Sequence, residues 1–108
     1  MGWLVRDGEV LASLEVADSP RHRARGLLGR DGFDGALLIP RTRSVHRFGM
    51  RFDLDVAFLD ADRRVIKIVA LPRNRVTAPV WSARSVVEAQ AGSFHDWGLR
   101  CGDELDVR

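Results

Sequence analysis

The sequence predicts a mainly β protein: a single-domain antiparallel β-sandwich or barrel that carries one or two short helices. Short apolar runs recur at close spacing, turn-forming residues separate them, and only two stretches have a helical pattern. A chain of 108 residues is a usual size for one domain and can bury roughly two thirds of its unfolded surface. We therefore expect residues 1–108 to form a single domain.

Two hairpins are the clearest local predictions. Residues 4–6 and 10–16 flank Asp7-Gly8, a dipeptide that favours a tight hairpin turn. Residues 54–59 and 65–71 are two apolar runs joined by a short polar turn. The run 54–59 has few polar positions, so we expect it to be a central strand with both faces covered.

Two short helices are expected between the strands. Ser19 is a good N-cap, and Pro20 suits the first helical position, where its missing N–H costs nothing. This helix should continue through residue 28 and end at Gly29, which can adopt a left-handed conformation. A second helix of one or two turns is expected over residues 94–97.

The other segments are read from short apolar runs and breaker residues. Further strands are expected at residues 36–39, at 85–89 and within 99–107. The strand pattern of residues 45–50 is interrupted by Gly49, which can mark a bulge, and residues 72–79 read as an exposed loop.

Positive charge is concentrated in one stretch. Residues 21–51 contain eight arginines against two aspartates, a local balance of +6, whereas residues 88–108 contain five acids against two arginines, a balance of −3. Arginine binds phosphate and carboxylate groups through paired hydrogen bonds, so this asymmetry points to anionic ligands or partners. Codon preference is an alternative explanation for the number of arginines, since 16 of the 17 basic residues are Arg.

The composition also predicts a compartment. A single Cys cannot form an internal disulfide or a thiolate-rich zinc site. The N-terminal residues lack the basic and apolar regions of a signal peptide, and no apolar run approaches the roughly 20 residues of a membrane span. A cytoplasmic protein with no membrane contact is the expectation, and the sequence leaves the oligomeric state open.

The candidate binding residues lie in and around the segment 44–50. In an extended chain His46, Phe48 and Met50 project to one face, which places a titratable imidazole beside an apolar floor. Together with nearby basic and acidic groups they make a plausible small-ligand pocket. The hypothesis comprises seven residues: Arg25, Arg30, Arg43, His46, Phe48, Met50 and Asp55.

Catalysis is a weaker interpretation of the same residues. Asp53 and Asp55 share a strand face and could assist acid–base chemistry, and Ser44, His46 and Asp55 could form a nucleophile–base set. However, no G-x-S-x-G elbow is present, and neither H-x-x-x-H nor C-x-x-C occurs. We therefore assign no catalytic residue, no metal ligand and no cofactor from the sequence.

Several motifs together resemble domain-of-unknown-function family 192, a family of small bacterial and archaeal proteins. The matching segments are residues 17–20, 25–30, 44–50 and 54–60, followed by 87–92 and 99–103. The resemblance implies a mainly β domain with a short N-terminal helix, and it implies no activity. Its typical motif falls on Arg25, Gly26, Arg30, Met50, Leu54, Asp55 and Glu88. Phe48-Gly49 stands where many relatives have a Trp directly before Met50, so a pocket that depends on that Trp is not expected here.

The leading functional hypothesis is therefore a non-enzymatic β domain that binds a small ligand or anion in a basic, His-containing pocket. One alternative is a protein-interaction module that docks an acidic partner through Arg41, Arg43 and Arg47. A hydrolase-like enzyme that uses His46 and Asp55 is another, and it requires their side chains to meet. Nucleic acid is disfavoured as a partner, because the chain has neither a helix-turn-helix pattern nor the aromatic signature of an RNA-reading sheet.

Overall fold

The computed structural model describes residues 2–108, and of Arg47 it describes the main chain only. Within this range 42% of the chain is strand and 10% is helix, which confirms the predicted mainly β class. The elements are β1 (Gly2–Arg6), β2 (Glu9–Val16), α1 (Pro20–Arg25), β3 (Ala36–Pro40), β4 (His46–Arg47), β5 (Leu54–Leu59), β6 (Val65–Leu71), β7 (Arg75–Val76), β8 (Ser85–Gln90), α2 (Ser93–Trp97) and β9 (Asp106–Val107).

The main sheet has the strand order β6-β5-β8-β3-β2-β1-β9, and its two edges meet. Arg64, just before β6, forms a bridge with Glu104, just before β9, and the amide of Val65 donates to the carbonyl of Asp103 at 2.8 Å. This junction turns the sheet into a barrel, which protects strand edges that would otherwise be exposed. All pairs are antiparallel except β2–β3, which is parallel.

Two hydrophobic clusters lie on opposite faces of the central strands. The inner cluster draws side chains from all around the barrel, including Leu4, Leu14 and Leu105. The outer cluster covers the other face of β3, β5 and β8. Strand β5 shows the alternation: Val56 belongs to the outer cluster and Leu59 to the inner one.

The outer cluster is covered by the segments between the sheet strands. Leu27, Val45 and Met50 come from these segments and are buried against the sheet. Strands β4 and β7 pair with each other, with His46 opposite Val76, and not with the main sheet. We call residues 43–48 and 74–80 together the ribbon, because they run antiparallel across this outer face.

The two predicted hairpins are confirmed. Asp7 and Gly8 have φ values of 51° and 78°, as a turn matching the twist of the strands requires, and they connect β1 to β2. Strands β5 and β6 pair along their length, and β5 lies between β6 and β8, so its predicted central position is also confirmed.

Two predicted boundaries are wrong. Helix α1 begins as expected, with the His22 amide donating to the Ser19 hydroxyl at 3.1 Å, but it ends at Arg25 and not at residue 28. Gly26 breaks the helix with φ 54° and ψ −128°, a conformation that only glycine adopts readily. The segment 72–79 is not loop throughout, because Arg75–Val76 forms β7. A two-residue strand whose paired residues are 28 and 30 positions away has no local periodicity to reveal it.

Candidate functional site

The two strands of the ribbon are held together by backbone hydrogen bonds and a buried hydroxyl. The amide of Thr77 donates to the carbonyl of Val45, and the amide of Val45 donates to Oγ1 of Thr77, both at 2.8 Å. Farther along, the amide of Val80 donates to the carbonyl of Arg43 at 2.8 Å. Val45 and Thr77 are buried, so the inner side of the ribbon is part of the core and its outer side faces solvent.

Three arginines converge at one end of the ribbon. A cavity of about 350 Å³ is lined by Arg41, Arg43, Ala83 and Arg84, and we call it the arginine cavity. The amide of Arg41 donates to the carbonyl of Arg84 at 2.8 Å, and Nε of Arg43 donates to the carbonyl of Ala83 at 3.2 Å. These bonds hold the two chain segments side by side, so the guanidinium groups project from a defined backbone.

The arginine cavity differs in its charge from those arginine sites where a carboxylate is paired with the guanidinium group. Within residues 2–108, no acidic side chain forms an ion pair with Arg41, Arg43 or Arg84. Several arginines elsewhere have carboxylate partners, as Arg51 has in Asp31 and Arg64 has in Glu104, each at 2.5 Å. The cavity is thus a place where positive charge is gathered without internal neutralisation.

Arg84 is the residue of this cavity that the sequence did not indicate. It lies 41 positions after Arg43, and the two meet because β3 pairs with β8, with Pro40 opposite Ser85.

Arg41 has a φ of 54°, a left-handed conformation that costs a non-glycine residue roughly 1–2 kcal/mol. Such backbone conformations persist where the surrounding structure enforces them, and they are found at functional sites.

His46 and Phe48 lie on the outer side of the ribbon. Both side chains are exposed, Phe48 to 63%, and Nε2 of His46 is 3.4 Å from the hydroxyl of Ser44. Beyond Phe48, the amide of Gly49 donates to Oδ1 of Asn74 at 2.7 Å, which ties the end of the ribbon together. Of the seven proposed site residues, Arg43, His46 and Phe48 therefore share this ribbon.

Met50 is close in sequence to these residues but faces the interior. Its side chain is 5% exposed and belongs to the outer cluster together with Phe52. The chain turns at Gly49, whose φ of 77° breaks the extended alternation that the sequence prediction assumed. Met50 thus packs beneath the ribbon, and the apolar floor expected beside His46 is part of the core.

Asp55 lies on the opposite face of the sheet from the outer cluster and the ribbon. Its carboxylate accepts hydrogen bonds from the amides of Gly92 and Phe94, each at 3.0 Å, at the start of α2. These amides are ones that a short helix leaves without an internal partner, so Asp55 acts as a cap supplied by a distant strand. The structure does not bring Asp55 to His46, and the hydrolase-like pairing of the two does not form.

Arg25 and Arg30 lie in the segment around and after α1. Nε of Arg25 donates to the carbonyl of Leu28 at 3.2 Å, so this side chain folds back over its own turn. Arg30 binds Glu15 through two hydrogen bonds of 2.6 and 3.2 Å, and its guanidinium lies 5.1 Å from the Phe33 ring centroid.

The Glu15 carboxylate has a second partner, Nε2 of His22, at 2.8 Å. The hydrogen bonds from Arg30 lower the pKa of Glu15 despite its partial burial, and the bond from His22 acts in the same direction. Arg25 and Arg30 therefore both have hydrogen-bond partners inside the molecule, and Arg30 forms an internal ion pair with Glu15.

Two features are absent from the described part of the chain. Among residues 2–108, no group of three or more His, Cys, Asp or Glu side chains is arranged to hold a metal ion. The same residues include no helix of the length and hydropathy that a membrane crossing needs.

The interaction module proposed through Arg47 lies partly outside the described residues, because the Arg47 side chain is not described.

Solved structures with this fold are known. The chain superposes on a protein of unknown function from Novosphingobium aromaticivorans DSM 12444 with a TM-score of 0.80 and 20% identity, covering 97% of this chain and 82% of that one. A protein from Sinorhizobium meliloti 1021, described as a candidate transcription regulator, gives a TM-score of 0.78 and 23% identity over 98% of this chain and 91% of its own. At these identities the likeness establishes the fold alone.

Comparison with sequence relatives identifies the family of the chain. A UPF0127 protein from Thermococcus gammatolerans is 33% identical over 96 residues, which is 83% of this chain and 63% of the relative. The chain thus spans less than two thirds of that relative's length. The model of domain-of-unknown-function family 192, described as an uncharacterized ACR family, matches residues 3–107. The resemblance seen in the motifs is confirmed, and the chain belongs to domain-of-unknown-function family 192.

Proposed function

We propose that the chain is a binding domain whose arginine cavity takes a small anion bearing a phosphate or carboxylate group. The observation that carries the proposal is the convergence of Arg41, Arg43 and Arg84 on one concave surface of about 350 Å³. No carboxylate of residues 2–108 pairs with any of the three. The basic pocket that we propose is therefore the arginine cavity at the end of the ribbon, and not a pocket along residues 46–50.

The chemistry of the guanidinium group supports an oxyanion ligand. Each group carries a permanent positive charge and a planar set of N–H donors that matches the geometry of carboxylate and phosphate oxygens. Three like charges around one cavity repel one another, and a bound anion removes that repulsion. The cavity is open to solvent, so the attraction is weakened by salt.

Binding fits this cavity better than catalysis does. Its lining offers three arginines and an alanine, and arginine does not titrate near neutral pH, so it cannot act as a general base there. His46 and Asp55, the pair considered for acid–base work, lie apart from each other. We accordingly propose recognition of an anion without a reaction.

The proposal can be tested by NMR titration of the arginine Nε–Hε signals with inorganic phosphate and with citrate. We expect saturable shifts at Arg43 and Arg84 that shrink as NaCl is added. Arg43→Ala should weaken binding about tenfold, as expected for loss of one charge-assisted hydrogen bond in an exposed site.

Arg100→Ala is the matched control, since Arg100 is exposed and lies beyond α2, away from the ribbon. Shifts spread equally over Arg43, Arg84 and Arg100 would show unspecific screening by salt and would contradict the proposal. So would affinities that are equal in wild type and in the Arg43→Ala variant.

A further inference from the structure

Exposed apolar side chains accompany the positive charge on this face of the molecule. Phe48 and Val76 are 63% and 48% exposed on the ribbon, and Trp81, in the turn that follows it, is 74% exposed. Large apolar groups left in water at one site are typical of surfaces that meet a partner. A small anion in the arginine cavity would leave Phe48 and Val76 uncovered, so they point to a larger ligand.

The charge of the ribbon limits what that ligand can be. Residues 43–48 and 74–80 contain three arginines and one histidine, and no Asp or Glu. Arg43 and Arg75 are exposed on the two strands of the ribbon. A negatively charged surface would therefore complement the ribbon, whereas a positively charged one would be repelled.

The positions along the ribbon define an order of contacts. Phe48 and Val76 lie at one end, where His46 is paired with Val76. The arginine cavity lies at the other end, and the turn that carries Trp81 is closed by the Ala83 amide donating to the Val80 carbonyl at 3.0 Å. Five extended residue steps separate Phe48 from Arg43, which corresponds to about 17 Å.

We infer that the outer face of the ribbon docks an acidic, extended peptide segment of a partner protein. One or two of its carboxylates enter the arginine cavity, and its apolar side chains cover Trp81, Val76 and Phe48. The inference rests on the proposed anion binding of the cavity and names the source of the anion. A segment of about six to eight residues is long enough to span the surface, at about 3.3 Å for each residue.

A peptide fits these contacts better than a nucleic acid does. Bases would stack on Phe48 and Trp81, but the aliphatic side chain of Val76 offers no stacking face. Leu, Ile or Phe side chains of a peptide can pack on all three residues. A peptide can carry its carboxylates at one end only, which matches the position of the three arginines in the cavity.

The test begins with selection from a display library of random eight-residue peptides on the full chain. We expect enrichment of sequences that combine Asp or Glu with Leu, Ile, Phe or Trp. The best peptide, labelled with fluorescein, is then measured by anisotropy against variants. Arg43→Ala with Arg84→Ala, and separately Val76→Ser, should each weaken binding at least tenfold. The controls Arg100→Ala and Val10→Ser, the latter at an exposed apolar position on β2, should change it less than twofold.

The outcomes separate this inference from the proposed function. Phosphate binding in the cavity without enrichment of acidic apolar peptides would overturn the inference and leave anion binding standing. Peptide binding that is indifferent to the Arg43→Ala, Arg84→Ala change would overturn both the acidic docking and the use of the cavity. A single-stranded oligonucleotide that binds more tightly than the selected peptide, through the same residues, would overturn the choice of a protein partner.

Discussion

Arg30 holds Glu15 through two hydrogen bonds, of 2.6 and 3.2 Å, and this pair joins the segment after α1 to strand β2. The two residues are 15 positions apart, so the pair closes a loop that contains the whole helix. Leu27, within that loop, is fully buried in the outer cluster. Arg30 therefore contributes to the fold by fastening the segment that covers part of the sheet.

The Glu15–Arg30 pair makes part of the stability depend on pH. The pKa of Glu15 is lowered in the folded protein, so its contribution is complete above the unfolded pKa and disappears as pH falls through the lower folded pKa. Because its side chain is 37% exposed, we expect Glu15→Gln to cost on the order of 0.5 kcal/mol at about pH 7 and less than that at about pH 3. Urea unfolding of both proteins at the two pH values measures this difference.

Glu9→Gln serves as the control, since Glu9 is 71% exposed and its nearest cation, Arg6, is 3.8 Å away. Its free energy of unfolding should follow that of wild type at both pH values. An equal loss for Glu15→Gln at low and high pH would show that the effect is one of packing and not of charge.

Asp55 is predicted to be structural. Asp55→Ala removes the acceptor for two amides of α2 and should lower the free energy of unfolding by about 1–2 kcal/mol. Asp55→Asn keeps one acceptor oxygen and should lose less. Hydrogen exchange at the amides of Gly92 and Phe94 should accelerate in the alanine variant, whereas phosphate binding should not change. Loss of phosphate binding in a folded Asp55→Asn protein would mean that Asp55 contributes to the binding site.

Thr77 is predicted to hold the two strands of the ribbon together. Thr77→Val keeps the side-chain shape but leaves the amide of Val45 buried without its acceptor, at a cost of about 1–3 kcal/mol. Thr77→Ser keeps the hydroxyl and should remain close to wild type. The exchange rate of the Val45 amide reports the bond directly. If the valine and serine variants exchange and unfold alike, the hydroxyl does not hold the ribbon strands together.

Substitutions of Met50 distinguish a packing role of this side chain from contact with a ligand. Met50→Ala should lower the free energy of unfolding by about 2–4 kcal/mol, because it leaves a cavity in the outer cluster, and Met50→Leu should cost less than about 1.5 kcal/mol. Thermal unfolding together with phosphate titration tests both statements. A Met50→Leu protein that is stable but binds phosphate much more weakly would mean that Met50 contacts the ligand.

Most of the strands could be predicted because their signals are local. Asp7 and Gly8 mark a hairpin turn whatever the rest of the chain does, and the apolar run of β5 can be satisfied only by burial. The end of α1 was misplaced because Leu27 and Leu28 continue an apolar helical pattern. Leu27 is buried and Leu28 is half-buried in an irregular turn after Gly26, where the tertiary contacts outweigh helix propensity.

The positions of the candidate site residues are harder to predict than the strands. Alternation along an extended chain put Met50 beside His46, and the turn at Gly49 removed that alternation. Asp55 was grouped with His46 because the two are close in sequence, yet sequence distance says nothing about which face of a sheet a strand position occupies once the barrel closes.

The sequence by itself determined the mainly β class, the two hairpins, the family and the excess of positive charge in the first half of the chain. These properties follow from composition and from patterns shorter than one hairpin. Only the tertiary structure decided which arginines meet, because the arginine cavity depends on the pairing of β3 with β8 across more than 40 residues. It also decided that Arg30 is neutralised by Glu15 while Arg43 is not, since an ion pair depends on distances between side chains that only the folded chain sets.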